Sequence, residues 1–347
     1  MKTKSFLLGA AAVMLATACS NDEVVKVAEN SAAIGFSSFV NNSTRTDYGT
    51  TSDEKLEAFN VYGVTWGTVD PFQVFSGVNV SKSGEAWNYA TETEPLRYWI
   101  PGNTYTFAAV APIDAIADAS ADGKAVVTQG TDKTNGGVST ITFTNNGNVD
   151  LLFDAKDAPT ANQTVNFTLK HLLTRVKFQL TNKMNSDLYY IEVKDVKIKK
   201  VVKDATYTVA NDAWTWNSEE TNKTDFGFDV VYEGTKHTEN GGKAISASHN
   251  LIPEVDAEYE ATFTIVLYQD VDGEYTAVHT PYVHTVILPK VGYVAGNSYL
   301  FAADVTPQNI DPEGPDLEPI TFSASVIDWV NVTPNPTLPT QEPVVVD

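Results

Sequence analysis

The sequence holds one cysteine, Cys19, in 347 residues, so no disulfide can form within the chain in any compartment. Basic residues are scarce as well. Against 44 Asp and Glu stand 23 Lys and Arg, a formal net charge of -21 at pH 7. A surface of that sign repels phosphate backbones and anionic lipid, which sets nucleic acid aside as a partner. The apolar run near the start, from Phe6 to Leu15, is too short to span a bilayer as a mature helix. No long stretch carries a helical apolar period. The five histidines are His171, His237, His249, His279 and His284, and none pairs with the cysteine. No His-Glu pair has zincin spacing, and both a Gly-rich phosphate loop and a Gly-x-Ser-x-Gly elbow are missing. These absences leave no expected metal, cofactor or catalytic group, and the chain reads as a non-enzyme.

What is present favours strands. Hydrophobic residues make up 42% of the chain, enough for extensive cores and too many for a disordered polymer. Val, Thr, Tyr and Phe are abundant, so an all-β protein is expected, and the length suggests about two domains.

The first residues read as a targeting signal. Lys2 and Lys4 precede the apolar run, and Leu15-Ala16-Thr17-Ala18 leads into Cys19. This resembles a bacterial lipoprotein signal, in which Cys19 is acylated and becomes the first mature residue. The alternative is a plain secretory peptide cleaved near Ala18. Residues to Ser31 read as a tether. An alternating segment then places Ile34, Phe36 and Val40 on one face of a strand. Burying those three side chains would stabilise the fold by roughly 5–9 kcal/mol, at about 1.5–3 each. A strand worth that much leaves only if another replaces it. Behind it lies a polar loop, Asn41 to Thr46, with no Lys or Arg between Lys26 and Arg45. Such loops are readily nicked, so the Arg45–Thr46 bond is a candidate processing site.

Further along, Phe59 to Trp66 has apolar residues on both faces, and Thr104 to Pro112 is another strand. Asp122-Gly123, Asn135-Gly136 and Asn146-Gly147 read as hairpin turns. Short strands with turns at such intervals indicate a sandwich. The polar stretch Ala155 to Gln163 suggests a boundary, after which Val165 to Leu180 reads as one strand with a bulge near Thr174-Arg175. A second phase slip separates Ile191 and Val193 from Val196 and Ile198. Thr262 to Tyr268 and Glu274 to Val278 flank Asp272-Gly273 as a hairpin. Asp270 to Glu274 has the wrong spacing for a calcium loop, and the two-residue turn explains it. His171 shares a face with Val165, Phe167 and Leu169, as expected of a hydrogen-bonded core histidine. Trp214 and Trp216 would share a strand face: buried they are core, exposed they form a stacking platform for glycan. Trp66, Trp87, Trp99 and Trp329 read as core.

Two segments far apart in the chain look alike. Ile34-x-Phe36-Ser37-Ser38-x-Val40 and Ile320-x-Phe322-Ser323-Ala324-x-Val326 share the pattern Ile-x-Phe-Ser-small-x-Val. Their inward side chains would suit the same groove, as strand replacement by a neighbouring copy requires. Ile320, Phe322 and Val326 are therefore candidate donor residues. The Pro-rich tail ending Val344-Val345-Val346, alone or with them, is the other candidate.

The lipobox, Ile34-x-Phe36-Ser37 and the Arg45 loop together resemble the start of a Bacteroidetes fimbrillin. Tyr98-Trp99-Ile100-Pro101-Gly102, Asp150-Leu151-Leu152-Phe153, Phe167-x-Leu169-x-His171-Leu172-Leu173 and Ile320-x-Phe322 to Trp329 come after it in that family's order. The resemblance implies two tandem transthyretin-like β-sandwich domains. The expected layout is a signal at 1–18, a lipidated tether and removable strand at 19–45, sandwiches at 46–160 and 161–332, and an extended tail at 333–347. It further implies outer-membrane export as a lipoprotein, trypsin-like cleavage after Arg45, and polymerisation with other fimbrial subunits by donor-strand insertion at the cell surface. A host protein or glycan is the implied ligand of an adhesive subunit. The rival class is a surface lipoprotein that binds glycans through Trp214 and Trp216.

Overall fold

The structure is a computed structural model. It describes residues 32–40 and 56–328, apart from 68–69, 85, 92, 185, 233–236, 279 and 311–318. Almost all regular structure among them is strand, arranged in four sheets.

Sheet I holds β1 (Phe36–Val40), β2 (Ala58–Trp66), β3 (Phe72–Ser83), β4 (Ala86–Asn88), β5 (Thr104–Ala111), β8 (Leu152–Asp157) and β9 (Val165–His171), in the order β1-β9-β8-β5-β2-β3-β4. Sheet II holds β6 (Lys124–Gln129), β7 (Val138–Thr144), β12 (Asp204–Thr208) and β13 (Ala213–Thr215). Sheet III holds β10 (Thr174–Asn182), β15 (Val230–Tyr232), β16 (Lys243–Ser246), β17 (His249–Leu251), β21 (Asn297–Val305) and β22 (Ser323–Asp328). Sheet IV holds β11 (Tyr189–Val202), β14 (Lys223–Phe228), β18 (Glu260–Val271), β19 (Glu274–Ala277) and β20 (Tyr282–Ile287).

Three apolar cores arise from these layers. Alternation along β5 sends Tyr105, Phe107, Ala109 and Ala111 to one core and Ala108 and Val110 to another. The first core lies inside sheet I, which rolls until Phe36 on β1 meets Phe75 on β3. The second lies between the outer face of sheet I and sheet II, where Phe153 packs on Tyr207. The apolar residues on both faces of β2 are explained by this sandwiching. The third fills the space between sheets III and IV, with Phe178 and Phe301 facing Ile198 and Phe263.

Several local expectations hold. The register shift in β11 between Lys194 and Lys197 is a bulge with Asp195 at φ 54°. Asp272 and Gly273 (φ 54° and 85°) close the two-residue turn between β18 and β19. Others are corrected. Val165 to Leu180 is two strands, because the chain leaves sheet I at Leu172-Leu173 and enters sheet III. Both leucines are buried against sheets I and II, so the phase slip marks a crossing between layers. Asn146-Gly147 likewise joins β7 of sheet II to β8 of sheet I, and Asp122-Gly123 lies on the path from sheet I to β6. Neither closes a hairpin.

The sheets also do not divide at residue 160. β9 pairs with β8 and β1 in sheet I, and the β12–β13 hairpin returns from the later half of the chain to pair with β7. The sheets are tied together beside that return. Asn250 N donates to Gly147 O at 2.7 Å, Asn145 Nδ2 to Asn250 O at 3.0 Å, and Asn250 Nδ2 to Val149 O at 3.0 Å.

Candidate functional site

The alternating segment 32–40 is a paired strand at the rim of sheet I. Its first residues bond on one side and its later residues on the other. Ile34 N donates to Arg97 O at 2.8 Å, and Trp99 N donates to Ala32 O at 3.1 Å. Val165 N then donates to Gly35 O at 2.9 Å, and from Phe36 opposite Val165 to Val40 opposite Leu169 the strand runs parallel to β9. Ser37 Oγ also donates to Asn166 Oδ1. Parallel pairing at an edge is the weaker ladder of the two kinds, so side-chain burial carries much of the hold.

That burial is nearly complete. Ile34 is 1% exposed and Phe36 is 4% exposed. The Phe36 ring is edge-on to Phe75 and Phe107, at centroid distances of 5.0 and 5.5 Å, and stacked on Phe167 at 6.0 Å. Tyr89 closes the pocket at 5.8 Å. Four rings from three strands and a loop thus form one socket. The Val40 side chain lies outside the described residues.

Arg97 and Tyr89 organise the rim of the socket. The Arg97 guanidinium lies 4.7 Å from the Phe75 ring centroid and pairs with Glu94. Arg97 N donates to Tyr89 Oη at 3.0 Å, and burial pushes the Tyr89 phenol above its ordinary pKa. The same Arg97 residue offers its carbonyl to Ile34. Sequence reasoning missed this wall. Its signal was the density of aromatics from Phe75 to Phe107, which composition alone assigns to core.

The look-alike segment has the same character in a different place. Ile320 is 2% exposed and Phe322 is 4% exposed. Phe322 packs edge-on against Phe178 and Phe263, at 5.6 and 5.7 Å. β22 begins at the next residue and pairs antiparallel with β21, with Val326 packed on the same core. Within this chain, Ile320, Phe322 and Val326 therefore close the core between sheets III and IV. Offering them to a neighbour would require β22 to leave its own place. Cys19, Arg45, Thr46 and the tail from 333 lie outside the described residues.

The histidine and tryptophan candidates sit in the layers already described. His171 is 7% exposed, with Nδ1 2.8 Å from Asp150 Oδ1. Trp214 is half-buried; its Nε1 donates to Leu172 O at 2.8 Å and its ring lies 5.5 Å from Tyr207. Trp216 is also half-buried against the same core. The two indoles do not make an exposed flat platform. Trp99 is core, Trp66 and Trp87 are half-buried, and Trp329 lies outside the described residues.

Comparison with known proteins places this geometry. A family model described as fimbrillin-like matches residues 44–329. A fimbrial protein from Bacteroides vulgatus has a similar fold, with a TM-score of 0.61 and 17% identity, covering 87% of this chain and all of the other. A candidate cell adhesion protein from Bacteroides ovatus superposes with a TM-score of 0.53 and 14% identity, over 87% of this chain and 99% of the other. No curated protein matches.

Proposed function

The chain belongs to the fimbrillin-like family, and on that premise we propose that it is a structural or adhesive pilin subunit assembled by strand replacement. It is exported as a precursor, acylated on Cys19 and carried to the outer membrane surface. A trypsin-like protease cuts after Arg45. β1 then leaves sheet I, and a strand from a second fimbrial subunit takes the vacated seat.

The observation that carries this reading is the burial of Ile34 and Phe36 on a rim strand. Two such side chains stabilise the fold by roughly 3–6 kcal/mol, comparable to the net stability of a whole domain. A socket of four aromatic rings opened to water would be a strong driving force for refilling. Because Ile320 and Phe322 close a core of their own, the tail ending Val344-Val345-Val346 is the preferred donor, with β22 as its base. Its alternating side chains would enter the socket that Ile34 and Phe36 occupied, and ladder bonds to β9 would set its register.

The test is limited trypsin treatment of the purified precursor, followed by sizing in detergent. A cut after Arg45 should lead to slow growth of detergent-resistant ladders. Arg45→Ala should prevent them while leaving stability within about 0.5 kcal/mol of the original, as for a surface substitution. A verified cut that leaves only monomers sinks the assembly reading.

A further inference from the structure

Two neighbouring serines on β1 stand in opposite environments. Alternation turns Ser37 outward, where its hydroxyl donates to Asn166 Oδ1 on β9. It turns Ser38 inward, on the face that carries Ile34 and Phe36, opposite the buried Phe167. The Ser38 hydroxyl is itself buried and finds no hydrogen-bond partner among the described residues. In the unfolded chain that hydroxyl bonds to water, so seating it in an apolar core works against the burial of its neighbours. The Trp99 indole N–H, in the same core, also lacks a partner. Trp99 stays with the socket whichever strand fills the rim, whereas Ser38 leaves with β1.

The look-alike segment keeps one serine and lacks the other. In Ile320-x-Phe322-Ser323-Ala324-x-Val326, Ser323 stands where β1 has Ser37, and Ala324 stands where β1 has Ser38. Ser323 is exposed and its Oγ donates to Ala302 O at 3.1 Å, so the outward serine is partnered in both strands. Ala324 packs on the core between sheets III and IV with no polar side-chain atom to satisfy. The same strand pattern thus exists in this chain without the unpaired hydroxyl. The other candidate donor, the tail ending Val344-Val345-Val346, is also apolar throughout that run.

On the strand-replacement reading above, this difference has a direction. We propose that Ser38 makes β1 a weaker occupant of its own seat, and that the seat selects, from a second copy of this chain, a strand with a small apolar residue at the Ser38 position. Exchange returns one hydroxyl to water and puts an apolar group in its place, so that position favours the newcomer. Before the cut, the covalent chain holds β1 at a high effective concentration beside its seat. After it, that advantage is gone and the fit of the side chains decides.

The test compares Ser38→Ala with Ser37→Ala in the full precursor, the same atom removed from adjacent residues. Ser38→Ala should raise the denaturation midpoint of the uncut chain, and Ser37→Ala should leave it unchanged or lower it. After trypsin, ladders of Ser38→Ala should grow about three- to tenfold more slowly than those of the original, and ladders of Ser37→Ala at least as fast. A synthetic peptide of residues 32–40 carrying Ser38→Ala, added during the cut, should block ladders at a lower concentration than the natural peptide. Equal midpoints and equal ladder rates for the original and Ser38→Ala overturn the assignment of Ser38 and leave strand replacement standing. An original chain that forms no ladder after a verified cut overturns both.

Discussion

Phe36 and Phe322 stand in matching situations at opposite ends of the chain. Each is 4% exposed, each lies at the start of a rim strand, and each is edge-on to phenylalanines of the sheets it closes. They differ in how each is tied to the rest of the fold. The first belongs to a segment that precedes Arg45 in the chain, and the second to the end of sheet III. That difference can be measured.

Phe36→Ala should destabilise the uncut precursor by about 3–5 kcal/mol, the usual cost of emptying a buried aromatic site. After trypsin trimming, variant and original should unfold at the same denaturant concentration, because the altered residue has gone. Equal gaps before and after the cut would show that β1 stays in place.

Phe322→Ala should cost a similar amount in both forms, since its contacts with Phe178 and Phe263 do not depend on β1. If instead the trimmed, assembled form is insensitive to the change, β22 has moved and is itself the donor.

Gly147 has φ +84°, and a Cβ there would lie 2.6 Å from His249 Nδ1. Gly273 has φ +85°, but nothing would lie within 4 Å of its Cβ. Both alanine variants meet backbone strain of about 1–3 kcal/mol. Only Gly147→Ala also pushes against the bonded joint between the β7–β8 connection and β17. Thermal unfolding should rank it as the more damaging of the two.

His284 stacks on Phe263 at 5.2 Å, and burial holds its imidazole below the ordinary histidine pKa. The unfolded chain therefore takes up this proton first as the solution is acidified. Stability owed to the neutral ring is intact above about pH 6.5 and is lost as pH falls toward the folded value. Chemical denaturation of the original and of His284→Gln across that range should show the shallower acid slope in the variant.

Local pattern carried much of this fold. The alternation of Ile34 and Phe36, the two-sided β2, the β11 bulge and the Asp272-Gly273 turn depend on neighbours within a few residues, and they were legible. Partnerships across the chain were not. Leu172 and Leu173 look like a flaw in one strand until two separate sheets are seen to claim its halves. Asn146-Gly147 has hairpin chemistry, yet the strands it joins pair elsewhere. The β12–β13 hairpin has ordinary strand residues, and nothing in them says that they pack beside β7. Periodicity reports which face is buried and is silent about its partner. The socket was legible as Phe36 but not as Phe75, Tyr89, Phe107 and Phe167, because aromatic residues in a core do not announce which of them share a contact.

Sheet order has one mechanical outcome. Next to β1 lies β9, and the strand that comes after β1 in the chain, β2, sits beyond β9, β8 and β5. The first strand and its successor are not paired with each other, so scission of the chain between them leaves the other six strands of the sheet on one unbroken backbone. A hairpin-tethered rim would stay chained to its paired neighbour; after a single hydrolysis here, β1 would be held by its ladder to β9 and its buried side chains.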